Sequence, residues 1–100
     1  MRFLKICGIS SEADLALVAR PGVDLYGLWH RCGGRHDLSA EGLARLAQTG
    51  RERHPAQPCL VTFDADPGRL AQLLKVTGIR IVQLHGFCLP AQVRAIAAAV

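Results

Sequence analysis

The sequence predicts an α/β fold built on a parallel sheet, and three observations carry that prediction. Four short apolar runs, Phe3 to Cys7, Val23 to His30, Cys59 to Asp64 and one centred on Val82, alternate with segments of helical period. Two of the runs stop at a reactive side chain followed at once by glycine, in Lys5-Ile6-Cys7-Gly8-Ile9 and Val82-Gln83-Leu84-His85-Gly86. Buried parallel strands deliver functional groups to the face where they end, so chemistry is expected there. The order reads βαβαβαβα, and right-handed crossovers place all helices on one side of the sheet.

Each element has its own local signal. After the first strand, Ser10-Ser11 can cap a helix that Asp14 answers as in a capping box, with Leu15, Val18 and Ala19 as its inward stripe up to Pro21-Gly22. The second strand carries Gly27 in its interior, which predicts a close approach to its backbone. Arg31 to Asp37 then forms a polar, glycine-bearing flexible loop, the kind of segment that holds ligands in α/β proteins. Ser39-Ala40-Glu41 opens a second helix with Leu43, Leu46 and Ala47 inward, and Gly50 to Pro58 connects it to the third strand. Cys59 falls at the start of that strand, away from the chemistry, and reads as structural. Asp66-Pro67 is a cap followed by proline at the first helical position; Leu70, Leu73 and Leu74 form the buried stripe, and Gly78 closes the helix. From Pro90, Val93, Ile96, Ala97 and Val100 recur at i, i+3, i+4, i+7.

One hundred residues, half of them apolar, suffice for a single domain with a real core. Ten Arg and two Lys against eight acids give +4, but the Arg are scattered, which favours small anionic ligands weakly and argues against nucleic acid. No stretch approaches the roughly 20 apolar residues of a membrane span, and the N-terminus lacks a signal-peptide pattern, so a cytoplasmic protein is expected. The four cysteines form no Cys-x-x-Cys pair, which fits a reducing compartment. The only metal-like grouping is His30-x-Cys32 with His85-x-x-Cys88; strand-end Cys and His are more often packing or acid/base groups, so no metal and no cofactor are expected.

Helices on one side leave the other sheet face bare. A doubly wound sheet would cover it by reversing strand order, and a barrel by closing, which takes eight units and about 250 residues where this chain has four. Ile6, Val61, Val82 and their neighbours are expected to meet water in an isolated open form.

Lys5-Ile6-Cys7-Gly8-Ile9, Gln83-Leu84-His85-Gly86 and Asp14 together resemble the phosphoribosylanthranilate isomerase family over essentially the whole chain. The resemblance implies a (β/α)8 TIM barrel, with residues 1–100 supplying about the first four βα units as its N-terminal half. It implies an aldose-ketose isomerase of tryptophan biosynthesis, which converts N-(5-phosphoribosyl)anthranilate to the aminoketose by an Amadori rearrangement. By the same resemblance Cys7 is the general base that takes the proton from C2, Arg35 lies close to the anthranilate moiety, and His85 lines the same pocket. The partners implied are the phosphorylated sugar-anthranilate substrate and a C-terminal half-barrel or a second copy. The general acid, an aspartate, and the phosphate loops belong to that other half. The chain departs from the family in Gly27-Leu28-Trp29-His30, where Gly-Phe-x-Phe is usual, in Gly33-Gly34-Arg35 for Ser-Pro-Arg, and in Phe87-Cys88 where acidic residues are common. Two other readings stand beside this one: a non-catalytic half-barrel that binds or assembles, and an isomerase of a related phosphosugar.

Overall fold

The computed structural model describes residues 3–19, 22–85 and 89–99. Strands β1 (Lys5–Ile6), β2 (Leu25–Trp29), β3 (Gln57–Thr62) and β4 (Ile81–Leu84) form one parallel sheet in the order β1-β2-β3-β4. Lys5 pairs with Leu25, Gly27 with Cys59, and Cys59 with Ile81. A 3-10 helix (Asp14–Ala19) and the helices α1 (Ala40–Arg53), α2 (Pro67–Thr77) and α3 (Pro90–Ala99) follow the strands in turn.

Strand alternation divides the sheet into two faces. Tyr26, Leu28 and Leu60, with the partly buried Ile6, Val82 and Leu84, pack in one cluster with Leu15, Leu43, Leu46, Ala47 and Leu70 of the helices. Full burial of such side chains contributes about 1.5–3 kcal/mol each relative to exposure. Lys5, Cys7, Gly27, Trp29, Cys59, Val61, Phe63, Gln83 and His85 alternate onto the other face. Ile6 and Val82 are therefore helix-side residues, and Val61 is only 2% exposed. The residues that meet water on the inner face are instead Cys7, Phe63, Gln83 and His85. Val61 packs close to Gly27, which has no side chain: a Cβ there would stand 3.3 Å from Lys5 Cε, 3.3 Å from Val61 Cγ2 and 3.4 Å from Cys7 Cα. That is the close approach the glycine predicts.

The caps behave as their residues predict. Ser11 Oγ accepts from the Asp14 N–H at 3.2 Å while the Asp14 carboxylate accepts from Ser10 N–H at 3.0 Å. These hydrogen bonds, chiefly the one from the Ser10 backbone, hold the Asp14 carboxyl below its ordinary value. The segment they open is a 3-10 helix, whose three-residue turn aligns Leu15 and Val18 inward and leaves Ala19 exposed. Ser39 and Asp66 cap α1 and α2, and Gly78 closes α2 at φ 73°.

Helix α1 runs through Gly50 to Arg53 instead of stopping at Gly50. The reason is packing: Gly50 lies under the Tyr26 ring, where a Cβ would overlap the hydroxyl and stand 2.6 Å from Cζ. Burial pushes the Tyr26 phenol up to about 12, and its O–H donates to Ala47 O at 3.4 Å. Gly50→Ala gains about 0.5–1 kcal/mol of helix propensity but overpacks a dense core, which costs about 1–3 kcal/mol. A net loss in urea unfolding is expected, partly recovered when Tyr26→Phe is added; unchanged stability would disprove the contact.

In α3 only Ile96 is buried; Val93 is 45% exposed, Ala97 is exposed, and Val100 lies outside the described residues. The helix has a neighbour on its α2 side, and its remaining apolar stripe has none among the described residues. No described helix is long and apolar enough to cross a membrane.

Candidate active site

Cys7 follows β1 by one residue and its thiol is exposed on the inner face. Gly8 at φ 77° turns the chain directly after it, and Ile9 N–H returns to Gly27 O at 3.2 Å. Below Cys7 on the same face lies Lys5, whose stem crosses bare Gly27 toward β3. The Lys5 charge acts on Cys59, which is buried, faces inward and pairs with Gly27 at mid-sheet, not at a remote end of the strand. Burial pushes the Cys59 thiol up, the Lys5 charge pulls it down, and Cys7 adds to the rise.

His85 follows β4, exposed, with its backbone N–H donating to Thr62 O at 2.7 Å. Its imidazole stacks on Trp29 at 6.3 Å between ring centroids and lies 5.0 Å from the Phe63 ring. His36, from the loop after β2, meets Trp29 edge-on at 5.9 Å. Arg35 is exposed between Gly34 and His36, and both of these residues lie against the indole. The structure thus gathers His85 and the Arg35 loop around Trp29, with Cys7 on the same face and at the same strand ends. Trp29 Nε1 is buried and finds no acceptor among the described residues. An unsatisfied buried donor costs about 1–3 kcal/mol.

The loop itself is held rather than loose. Asp37 accepts from the Cys32 and Gly33 N–H groups at 3.0 and 2.8 Å, and Leu38 N–H donates to Trp29 O at 2.8 Å. Arg31 adopts φ 57°, a left-handed conformation uncommon for a side-chain-bearing residue. Cys32 donates to Val61 O at 3.3 Å, and burial, reinforced by Asp37, pushes its thiol up. His30 Nδ1 lies 2.7 Å from Leu38 O on the helix side, opposite His85. The metal-like grouping is therefore split between faces, and its Cys88 lies outside the described residues. A cleft of about 390 Å³ lined by His30, Arg31, Asp64, Arg69, Leu73 and Val76 also opens on the helix side. None of Cys7, Arg35 or His85 lines it; Cys7 and His85 are exposed on the opposite, inner face.

No family model matches the chain. Curated N-(5'-phosphoribosyl)anthranilate isomerases of Rhodopseudomonas palustris and Methanothermobacter marburgensis are 39% and 30% identical over 93 and 82 residues. These matches take in 90% and 82% of this chain but only 40% and 35% of the relatives, so the chain spans well under half their length. The solved phosphoribosyl anthranilate isomerase of Thermus thermophilus superposes with a TM-score of 0.77 at 28% identity, over 98% of this chain and 48% of that one. A phosphoribosyl anthranilate isomerase solved with reduced 1-(o-carboxyphenylamino)-1-deoxyribulose 5-phosphate superposes with a TM-score of 0.84 at 25% identity, over 100% of this chain and 50% of that one. The chain matches the N-terminal half of the phosphoribosylanthranilate isomerase barrel. Its sheet is the first four βα units of a (β/α)8 fold, which explains why one face and both edges lack neighbours in the described chain.

Among the inner-face residues, sequence reading gave no role to Lys5 or Phe63. Counting two back from Cys7 finds Lys5 on the same face, and two on from Val61 finds Phe63.

At the strand ends, Arg69 clamps Asp64 through two hydrogen bonds of 2.9 Å, and these hold the Asp64 carboxyl at about 2 against an ordinary 3.8. A depressed carboxyl contributes stability that is present above pH 4 and is lost as pH falls toward 2. Because the Arg69 side chain is 59% exposed, solvent screening leaves about 1 kcal/mol for Asp64. Asp64→Asn should flatten the stability profile between pH 4 and 2 relative to the parent chain; an unaltered profile there would remove Asp64 from the acid response.

Proposed function

We propose that this chain is the N-terminal half-barrel of a phosphoribosylanthranilate isomerase, with Cys7 as general base and Arg35 and His85 as substrate-contacting groups. The C-terminal half supplies the general acid and phosphate-binding loops. In this reading the Cys7 thiolate takes the proton from C2 of the ring-opened, protonated imine. The C2–H electron pair becomes the C1=C2 bond, the imine pair moves to nitrogen, and tautomerisation of the resulting enol completes the aminoketose. The observation that carries the reading is the exposed Cys7 thiol, set on the open inner face with His85 and the Arg35 loop at the same strand ends. Free thiols at Cys7, Cys32 and Cys59 suit a reducing compartment such as the cytoplasm.

The test is complementation. Co-expressed with the C-terminal half of the Rhodopseudomonas palustris relative, the chain should restore growth without tryptophan to an isomerase-deficient host, and neither half should do so alone. A stable complex without turnover would favour a non-catalytic assembly module, and no complex would remove the half-barrel reading. In the active complex, Arg35→Ala should raise KM about tenfold or more and leave kcat nearly unchanged, as expected for a charged contact made equally in substrate and transition state. A normal KM would place the guanidinium away from the carboxylate.

A further inference from the structure

We propose that Trp29 is the residue that recognises the aryl carboxylate end of the substrate, its indole Nε1–H donating to the carboxylate and its ring lying against the aryl ring. This rests on the isomerase reading above and names a contact that reading does not contain. Trp29 ends β2 on the inner face, on the same rim as Cys7. It is flanked by the His36 and His85 imidazoles, and the Gly34 backbone lies close to its benzo edge, where a Cβ would stand 3.9 Å from Cζ3.

Elsewhere in the cluster the rings cover one another, Asp37 ties the loop, and the Trp29 carbonyl accepts from Leu38. Among the buried side-chain polar atoms of the described residues, the indole N–H is the one left without a partner. It is buried, and the loop that carries Arg35 lies against the benzo edge of the same ring, so a ligand that reaches the donor must bring an acceptor of its own. A carboxylate on an aromatic ring suits the place: the ring lies against the indole, and one oxygen takes the indole N–H while the other faces Arg35. A carboxylate without the ring, or a ring without the carboxylate, supplies half of this. Trp29 also stands at the variable position of the Gly-Phe-x-Phe pattern from which Gly27-Leu28-Trp29-His30 departs, so the donor belongs to this chain's own pocket.

Trp29 is the single tryptophan, so its indole gives one N–H resonance. The experiment labels this chain with nitrogen-15, adds the unlabelled C-terminal half, and titrates the complex with anthranilate, aniline and cyclohexanecarboxylate. Anthranilate should move the indole N–H downfield with saturation, and aniline should leave it in place. Cyclohexanecarboxylate should bind more weakly than anthranilate. In Trp29→Phe, which keeps a ring and loses the donor, Kd for anthranilate should rise about tenfold or more while that for ribose 5-phosphate stays within twofold. In turnover the same variant should raise KM with kcat little changed. An indole resonance unmoved at saturating anthranilate in a catalytically active complex would overturn the proposal and leave the isomerase reading intact. A failure of the halves to form any complex would overturn both.

Discussion

Cys7→Ala in the completed barrel should lower kcat by roughly 10²–10⁴-fold or more while substrate affinity stays within a few-fold. A general base acts only as the C2 proton leaves, so its loss raises the barrier without loosening the bound substrate. The structure favours a clean result, because the side chain is exposed and lies outside the helix-side core, so truncation opens no cavity. Far-ultraviolet circular dichroism and melting temperature should be unchanged. Cys7→Ser, which keeps the shape but replaces the thiol by a far weaker acid, should be nearly as inactive as alanine. An unchanged kcat in either variant would remove Cys7 from the mechanism. Cys59 provides an internal control on the same face: it is 2% exposed and its thiol is pushed up by burial, so Cys59→Ala should cost stability and leave most of kcat.

Much of this was legible in the residues because the local signals agree with one another. Ser39, Asp66 and Gly78 marked helix ends that the structure keeps, and Gly27 marked a real backbone crossing. What was not legible depends on tertiary neighbours. Gly50 looked like a helix end because glycine usually breaks helices, yet here it makes room for the Tyr26 ring, a contact 24 residues away that no local pattern contains. The sheet faces were assigned one residue out of phase at Ile6 and Val82, since runs buried on both sides have no polar alternation to set the phase. Of the site, Cys7 and His85 stood out through the Gly that follows each, and Arg35 through family resemblance alone. The Trp29 cluster was invisible because it joins rings from β2, the loop after it and the ends of β3 and β4.

The hundred residues on their own should fold and self-associate, and should show no isomerase turnover. Folding is expected because the helix-side core is filled, with Tyr26, Leu28, Leu43 and Leu60 fully buried, and the radius of gyration of 13.1 Å is that of a compact domain of this length. Association is expected because much of the apolar exposure lies where a barrel would continue. Phe3 (70% exposed) and Leu4 (48%) flank β1, Leu89 (57%) and Val93 (45%) lie before and on α3, and Phe63 (50%) lies on the inner face, while Leu17 (41%) and Val76 (59%) are exposed on the helices. Both outer strands also present unpaired backbone groups to any chain that can add to them. Two copies meeting edge to edge would give eight parallel strands, the number a barrel needs to close. Sedimentation equilibrium should therefore report dimers or larger species with a cooperative thermal transition that rises with protein concentration. Charges placed on the α3 flank, Leu89→Lys with Val93→Lys, should weaken association more than they weaken folding. Turnover should be absent because no free acid suited to the second proton transfer faces Cys7 among the described residues: Asp64 is held ionised by Arg69, and Asp37 is occupied by two backbone N–H groups. A cooperatively melting monomer at high concentration would contradict the half-barrel architecture, and measurable turnover from it would mean that His36 or one of these two aspartates had been released to act as the acid.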